Sequence, residues 1–385
     1  MINEICKPEK CTGCFACMNI CPRDAIVCKT DRHGKTVPDI LQDKCIECGM
    51  CMKVCPENHP VTKKYPAECY AAWSKDEKER KYCSSGGLAT EFSRYIIEQG
   101  GIVYGAAFDG NLKLIHMAAE RTEDLEKFKG SKYVQSYTGT VYRDIKEQLK
   151  RGRQVLFIGT PCQIAGLRGF LGKGYDNLLL ADLICHGTPP MEYLREYAEK
   201  AGKGRKITDI SFRGKKNYRL TLYSGDRQVY SVRNKKDYYF TAFYNGLIAR
   251  DNCYKCEYSV PQRASDITIG DFWGLKRSDL RVPYSGRISV ALINSERGSV
   301  FWNQVKERFV YEERPIEEAV NGNGQLRKPS GCHPDRDLFL KNYVPGNFPE
   351  AVRTPGMKKL IAAGKIKDSL PYRAARKVKK IVMRK

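Results

Sequence analysis

Eight cysteines near the start of the chain repeat one spacing twice. The first copy is Cys11-x2-Cys14-x2-Cys17-x3-Cys21 ahead of Pro22. The second is Cys45-x2-Cys48-x2-Cys51-x3-Cys55 ahead of Pro56. Two-residue spacing lets three thiolates wrap one face of an iron–sulfur cubane, while the cysteine before the proline crosses to the other cubane. The pattern therefore assigns one [4Fe–4S] cluster to Cys11, Cys14, Cys17 and Cys55, and a second to Cys45, Cys48, Cys51 and Cys21. The repeat period is 34 residues, with Lys10 and Lys44 just ahead of each first cysteine. That is the symmetry of a duplicated ferredoxin. Zinc sites and disulfides are the rival uses of cysteine, but zinc sites favour paired Cys-x2-Cys units over four cysteines in this order.

A further cysteine set is dispersed. Cys162 follows a strand in Gly159-Thr160-Pro161-Cys162-Gln163, Cys185 ends another in Asp182-Leu183-Ile184-Cys185-His186, and Cys253 and Cys256 form a Cys-x2-Cys pair. Strand ends and loops are where ligands converge on a rigid scaffold. Spacing alone leaves a third cluster and a four-cysteine zinc site both open. Cys6, Cys28, Cys69, Cys83 and Cys332 read as small buried hydrophobes, Cys83 least securely because it adjoins a glycine-rich loop.

That loop is Ser84-Ser85-Gly86-Gly87, followed by Leu88, Phe92, Tyr95 and Ile96 at helical spacing. Glycines let backbone N–H groups approach a phosphate, and a helix N-terminus favours an anion. The alternative is an ordinary N-cap at Ser84 or Ser85. Gly130-Ser131-Lys132-Tyr133 is a second small turn carrying a cation, or else a plain surface turn. No Gly-x-Gly-x-x-Gly follows a strand, which excludes the common dinucleotide fingerprint.

The elements that must position these residues follow from periodicity. Residues 1–62 form a ferredoxin-type domain. Residues 63–82, with Pro66 and a charged run from Lys75 to Lys81, read as a connector. Residues 83–345 alternate strands and helices, with strands at Ile102–Phe108, Gln154–Ile158, Leu178–Ile184, Asp266–Asp271 and Ile288–Ile293. Short strands over residues 207–232 suggest a β-hairpin insertion. The expected class is α+β: a two-cluster ferredoxin domain followed by a mixed α/β domain with parallel pairing. Residues 346–385 read as a basic tail.

The chain has 385 residues, seventeen cysteines and a formal net charge of +23. Cluster ligation needs reduced thiols and no charged-then-apolar leader precedes Cys6, so the expected compartment is the cytoplasm. No apolar run reaches the ~20 residues of a membrane span. Residues 351–385 hold twelve Lys/Arg against the single acid Asp368, whereas residues 1–62 are nearly balanced. Ala374, Ala375, Val378, Ile381 and Val382 share one helical face among these bases. That suits an anionic membrane surface or an acidic partner, or a merely solvated terminus. A nucleic-acid groove is disfavoured, because the basic stretch lacks interleaved stacking aromatics.

Gly159-Thr160-Pro161-Cys162-Gln163, Cys185, Cys253-x2-Cys256 and Asp266-Ile267-Thr268-Ile269-Gly270-Asp271-Phe272-Trp273-Gly274 together resemble the coenzyme F420 hydrogenase/dehydrogenase beta-subunit family. The resemblance covers residues 80 to about 345. It implies an FAD-binding domain with its own [4Fe–4S] cluster, held by Cys162, Cys185, Cys253 and Cys256 and close to the flavin. Ser84 to Gly87 and Gly130 to Tyr133 are the segments it places near FAD. Three clusters and one flavin dinucleotide would bring the charge to roughly +15. His186 would then donate a proton near the flavin or brace the cluster loop. Asp271 would bond flavin or substrate, or cap the next turn.

The implied activity is a flavin- and iron–sulfur-dependent oxidoreductase passing electrons among ferredoxin clusters, a third cluster, FAD and a small molecule, F420 or another. The alternative is an electron-transfer subunit of a larger complex, with a redox partner protein and no substrate site of its own. A basic nucleic-acid-binding protein with a structural cluster would need a continuous basic groove, which the sequence does not show.

Overall fold

A computed structural model describes residues 2–214 and 217–367. The N-terminal unit contains α1 (Ala16–Ile20), β1 (Ile26–Thr30), β2 (Thr36–Ile40) and α2 (Met50–Lys53), with β1 and β2 antiparallel. The 34-residue repeat survives in the backbone. Gly13 and Glu47 have φ of 66° and 54°, and Phe15 and Gly49 have 59° and 69°. Left-handed residues at these four positions turn the loops so that successive cysteines face inward. Only two of them are glycine, so the other two carry backbone strain.

The connector that prolines and charges suggest over 63–82 is instead structured. Glu68–Ser74 form β3, and Glu77–Tyr82 form α3. After α4 (Leu88–Glu98) come β4 (Ile102–Phe108), β5 (Leu114–Ala119), α5 (Val141–Lys150), β6 (Val155–Gly159), α6 (Pro161–Leu171), β7 (Leu178–Leu183) and α7 (Met191–Gly202). Next are β8 (Asp209–Arg213), β9 (Tyr218–Ser224), β10 (Arg227–Arg233) and α8 (Tyr238–Tyr244), then β11 (Ile267–Asp271), β12 (Ser289–Ile293), α9 (Glu296–Val305) and β13 (Phe309–Glu313).

Eight strands form one mixed sheet in the order β13-β3-β12-β11-β7-β6-β4-β5. β11, β7, β6 and β4 run parallel and the flanking strands antiparallel. Alternation along the parallel strands buries both faces. Val155, Phe157, Leu178 and Leu180 pack with Tyr142, Ile145, Ile164 and Phe170 on one side. Leu156, Leu179 and Ala181 pack with Phe92, Phe301 and Trp302 on the other. Helices α5 and α6 thus cover one face, and α4 and α9 the other. β3 lies inside the sheet, paired through backbone to β12 and β13, which arrive more than 200 residues later. No local pattern announces such a pairing.

The insertion is larger than a hairpin: β8, β9 and β10 form a three-stranded antiparallel sheet. With α7 and α8 it builds a second core around Tyr197, Phe212, Leu222 and Phe240. That core also takes Phe348, Ala351, Val352 and Met357 from the C-terminal region, all nearly inaccessible. The expected tail boundary at residue 346 is therefore too early. Helices over Phe348–Ala351 and Pro355–Lys367 belong to the fold, because an apolar face is interleaved among the lysines. The basic stripe at 370–385 lies outside the described residues.

The N-terminal unit seats directly on α6. A Cβ at Gly166 would fall 2.7 Å from Cys14 Cβ and 2.8 Å from its Sγ, and a Cβ at Gly169 would collide with the carbonyl of Val54. Arg143 fastens the same edge. Its Nε donates to Asn19 O at 2.6 Å and its Nη2 to Met18 O at 3.0 Å and Cys21 O at 2.8 Å. In an open helix Gly→Ala gains ~1 kcal/mol. At Gly169 the sign should reverse, with Gly169→Ala losing about 1–3 kcal/mol by overpacking against fixed backbone. Urea unfolding and proteolytic release of residues 1–62 measure this. A neutral or stabilised variant would show that the two units are not in close contact.

Candidate functional site

The structure groups the N-terminal cysteines as crossed sets. Cys14 and Cys17 are buried together, and the charges of Cys11 and Cys55 act on both. Burial pushes the Cys14 thiol up to about 12. Cys6 joins this group: hydrogen bonds from its thiol draw down both Cys11 and Cys55. Cys21 lies instead with Cys45, Cys48 and Cys51 around a small cavity walled by Ile26, Ile40 and Met50. The two sets differ in depth. Cys14, Cys17 and Cys55 are buried, whereas Cys48 is exposed beside Ile46, Met50 and Met52.

The dispersed cysteines also meet. Helix α6 opens with a capping box, in which Thr160 N donates to Gln163 Oε1 at 3.0 Å and Pro161 begins the first turn. This fixes Cys162 at the end of β6. Cys185 follows the neighbouring strand β7, and a short 3-10 turn over Asp251–Lys255 presents Cys253 just before Cys256. All four line one cavity of about 30 Å³ with Thr12, Gly187 and Arg263. Gly187 has φ 91°, and a Cβ there would sit 3.2 Å from Cys253 Cβ. Burial raises Cys162 far above the usual thiol range and Cys185 up to about 12, and the neighbouring cysteines add to both. As free thiols they stay protonated at neutral pH. A bound cationic centre is what makes buried thiolates tolerable.

Arg250 links this region to the N-terminal unit. It is 2% exposed. Its Nη1 donates to Gln135 Oε1 at 2.7 Å and Thr36 O at 3.0 Å, and its Nη2 to Cys11 O at 3.1 Å. Its own carbonyl accepts from Cys253 N at 3.0 Å. One residue thus touches the backbone of the first and third cysteine sets. Tyr142 lies between them on the other side, within the field of both Cys14 and Cys162.

Beside the four-cysteine cavity is a larger one of about 330 Å³, and Thr12, Cys162 and Cys185 line both. Ser84, Ser85, Gly87, Gly130, Ser131, Lys132, Tyr133, His186 and Asp271 all face it. Gly86 does not: a Cβ there would collide with Ala72 O, and its N–H donates to Ser289 Oγ at 2.7 Å. It packs the loop onto the sheet. Ser85 Oγ serves the same end by donating to Ile288 O. Ser84 Oγ is buried without a partner among the described residues, and α4 begins at Gly87, φ 95°, with no side chain capping its first turn.

Lys132 Nζ donates to the carbonyls of Lys127, Phe128 and Lys129 at 3.1, 2.8 and 3.0 Å. Burial pulls its pKa down to about 7, but three acceptors for three protons favour the ammonium form. Tyr133 packs among Phe212, Phe240 and Phe243. Burial lowers the pKa of His186 and favours neutral imidazole, against the pull of Asp271. Its carbonyl accepts from Ser330 Oγ at 2.8 Å. Asp271 Oδ2 accepts from Arg213 Nη2 at 2.9 Å and Tyr218 Oη at 3.1 Å.

Arg213, Tyr218, Gln135, His116 and Trp273 also line the large cavity. Arg213 and Tyr218 come from the inserted sheet, at the end of β8 and the start of β9, and nothing local in the sequence marked them. His116 sits in β5, stacked on Phe157 at 5.0 Å, and burial lowers its pKa to about 4. Among the remaining cysteines, Cys69 and Cys83 are buried as expected, but Cys332 is exposed. It lies on an irregular segment between helices, where no apolar neighbours close over it.

Comparison with known proteins bears on this arrangement. Residues 10–59 match the model of a 4Fe-4S dicluster domain. Residues 152–319 match the model of the C terminus of the coenzyme F420 hydrogenase/dehydrogenase beta subunit. The chain is 24% identical over 281 residues to coenzyme F420 hydrogenase subunit beta of Methanothermobacter thermautotrophicus, covering 68% of this chain and 89% of the relative. It is 30% identical over 172 residues to the coenzyme F420-dependent sulfite reductase of Methanocaldococcus jannaschii, covering 43% of this chain but only 26% of that protein's length. A chain in the F420-reducing [NiFe] hydrogenase complex of Methanosarcina barkeri aligns at TM-score 0.45 and 20% identity, over 80% of this chain and 92% of that one. Among the described residues no helix is long and apolar enough to cross a membrane. Residues 152–319 thus carry the C-terminal region of the coenzyme F420 hydrogenase/dehydrogenase beta-subunit family, with a 4Fe-4S dicluster domain ahead of it at residues 10–59.

Proposed function

We propose that this chain is an iron–sulfur flavoprotein oxidoreductase, linking a one-electron carrier at its surface to a small-molecule acceptor or donor, F420 or another. The observation that carries this reading is the unbroken series from surface to cavity. It runs from the exposed Cys48 set, through the buried Cys11, Cys14, Cys17 and Cys55 set, across Gly166 and Thr12 to Cys162, Cys185, Cys253 and Cys256, and on to the 330 Å³ cavity. Bound clusters would supply single-electron transfer, and a bound flavin would couple it to two-electron chemistry on a small molecule.

The residues fit those groups. Four thiols ring the smaller cavity. Four cysteines supply the number of thiolates that a cubane needs. In the larger cavity, the unpartnered Ser84 hydroxyl and the uncapped start of α4 suit an anionic group such as a flavin phosphate. His186, held near neutral charge, can give or accept a proton at an imidazole nitrogen. Arg213 and Tyr218 fix Asp271 at the cavity wall. That the Methanothermobacter relative is named a subunit supports a companion reading, in which a redox partner protein docks in a larger assembly.

Anaerobically isolated protein should contain about twelve iron and twelve sulfide per chain. Cys162→Ser and Cys256→Ser should each remove about four iron and leave the other clusters. About eight iron with one zinc would overturn the third cluster. Flavin is tested separately. Gly87→Asp places a carboxylate where the phosphate must sit, and the variant should retain iron but lose flavin. Flavin at the unaltered chain's level would locate the phosphates elsewhere.

A further inference from the structure

Arg263 is the most deeply buried cation beside the four-cysteine cavity. It is 2% exposed and lines that cavity together with the cysteines. Its backbone is clamped to the connector strand: Lys64 N donates to Arg263 O, and Arg263 N to Lys64 O, both at 2.8 Å. Its Nη1 donates to Tyr258 O at 3.0 Å. Its Nε and Nη2 are buried with no partner among the described residues. Behind it lies Asp182, wholly buried on β7, with Oδ2 3.7 Å from Nη1. That is too long for a hydrogen bond but close enough to orient the guanidinium. A buried guanidinium with two unused N–H groups is costly unless something accepts them. Among the described residues neither group has a partner, and the groups around them are the equally unpartnered Asp182 carboxylate and the four cysteines that share the cavity wall.

We propose that Arg263 is the positioning residue that tunes the third cluster, donating Nε–H or Nη2–H to its sulfur ligands and raising its reduction potential. This rests on reading that site as a [4Fe–4S] cluster. The step is the reversible one-electron reduction of the cluster by the electron carrier the proposed activity already uses. An oxidised cubane with four thiolates carries about −2, and one added electron makes it about −3. A fixed cation stabilises the reduced form more than the oxidised form, and hydrogen bonds to sulfur act in the same direction. Asp182 aims the arginine from behind and moderates its charge. No other cation lines this cavity among the described residues; Arg250 meets the same cysteine set only through its carbonyl, which accepts from Cys253 N.

The test is a dye-mediated redox titration of the full chain, isolated anaerobically, with each cluster followed by paramagnetic resonance. Cys162→Ser identifies the third cluster's signal by its loss. In Arg263→Gln that signal should reduce at a lower potential, with the two dicluster signals unmoved. Arg263→Lys, which keeps the charge but loses the fork, should recover most of the shift. Because Arg263→Gln strands the Asp182 carboxylate, Arg263→Gln/Asp182→Asn is measured alongside it. That double variant should hold twelve iron and still show the lowered potential. Twelve iron with an unshifted third signal in the double variant would overturn the role of Arg263. About eight iron in the unaltered chain would overturn the cluster reading beneath it instead, so the two failures are distinguishable.

Discussion

The contact between α6 and the N-terminal unit governs the rest of the structure. Electron exchange between buried centres requires short, fixed separations, and this helix supplies them twice. Its first turn holds Cys162, and its next two turns carry the glycines that admit Cys14 and Val54. The two functions are therefore locked to one rigid body. Its start is set by a capping box and Pro161, and its body by Ile164, Leu167 and Phe170 packed on the sheet. A shift of this helix would move Cys162 and the docked dicluster unit together, preserving the distance between them. The glycines are small because they must be, since helix propensity alone would favour alanine at both positions.

Charge is arranged on the same plan. The formal excess of +23 looks like a surface property in the sequence, and the terminal stretch supplies much of it. In the fold several cations are interior. Arg250 and Arg263 are each 2% exposed beside cysteine sets, and Arg336 is buried against Asp251 at 2.7 Å. Buried cations without acceptors are unstable, and each of these is met by carbonyls or a carboxylate. Arg250 Nε and Arg263 Nε and Nη2 are left without partners among the described residues, a desolvation cost that the surrounding contacts must offset.

The parts legible in the sequence were those whose information is local. The eight N-terminal cysteines sit within one short repeat, and the left-handed residues that shape their loops recur at the same period. Cys162 was expected just after a strand, and β6 ends at Gly159. Most of the loop residues read as cofactor contacts do face the large cavity, because a glycine-rich turn before an amphipathic helix has few other geometries. What was not legible depends on distant partners. β3 read as linker because β12 and β13 complete it from the far end of the chain. The C-terminal helices read as tail because lysines mask Phe348, Met357 and Ile361. Gly86 looked like its neighbours, yet only the strand beneath it shows that it is a packing glycine. Arg263 carries no sequence signal at all, being one arginine among many until its burial is known.

The large cavity is built by two parts of the chain with different freedom. The parallel strands deliver Cys162, Cys185 and Asp271 at their carboxyl ends, and burial on both faces fixes those positions. The inserted sheet supplies Arg213 and Tyr218, which reach across to Asp271. Its core includes the C-terminal helices and meets the large sheet at the β4–β5 edge, away from the central parallel strands. Changes in β8 to β10 can therefore alter the open wall of the cavity without disturbing the cysteine sets. Trp273, 47% exposed at the same mouth, sits just beyond Asp271 on the rigid side. Under the proposed function, selection of a small molecule would fall to the insertion and this tryptophan, with the cysteine sets behind them held by the sheet. The division follows from topology: residues at parallel strand ends are held by the whole sheet, whereas an antiparallel insertion at its edge can change locally.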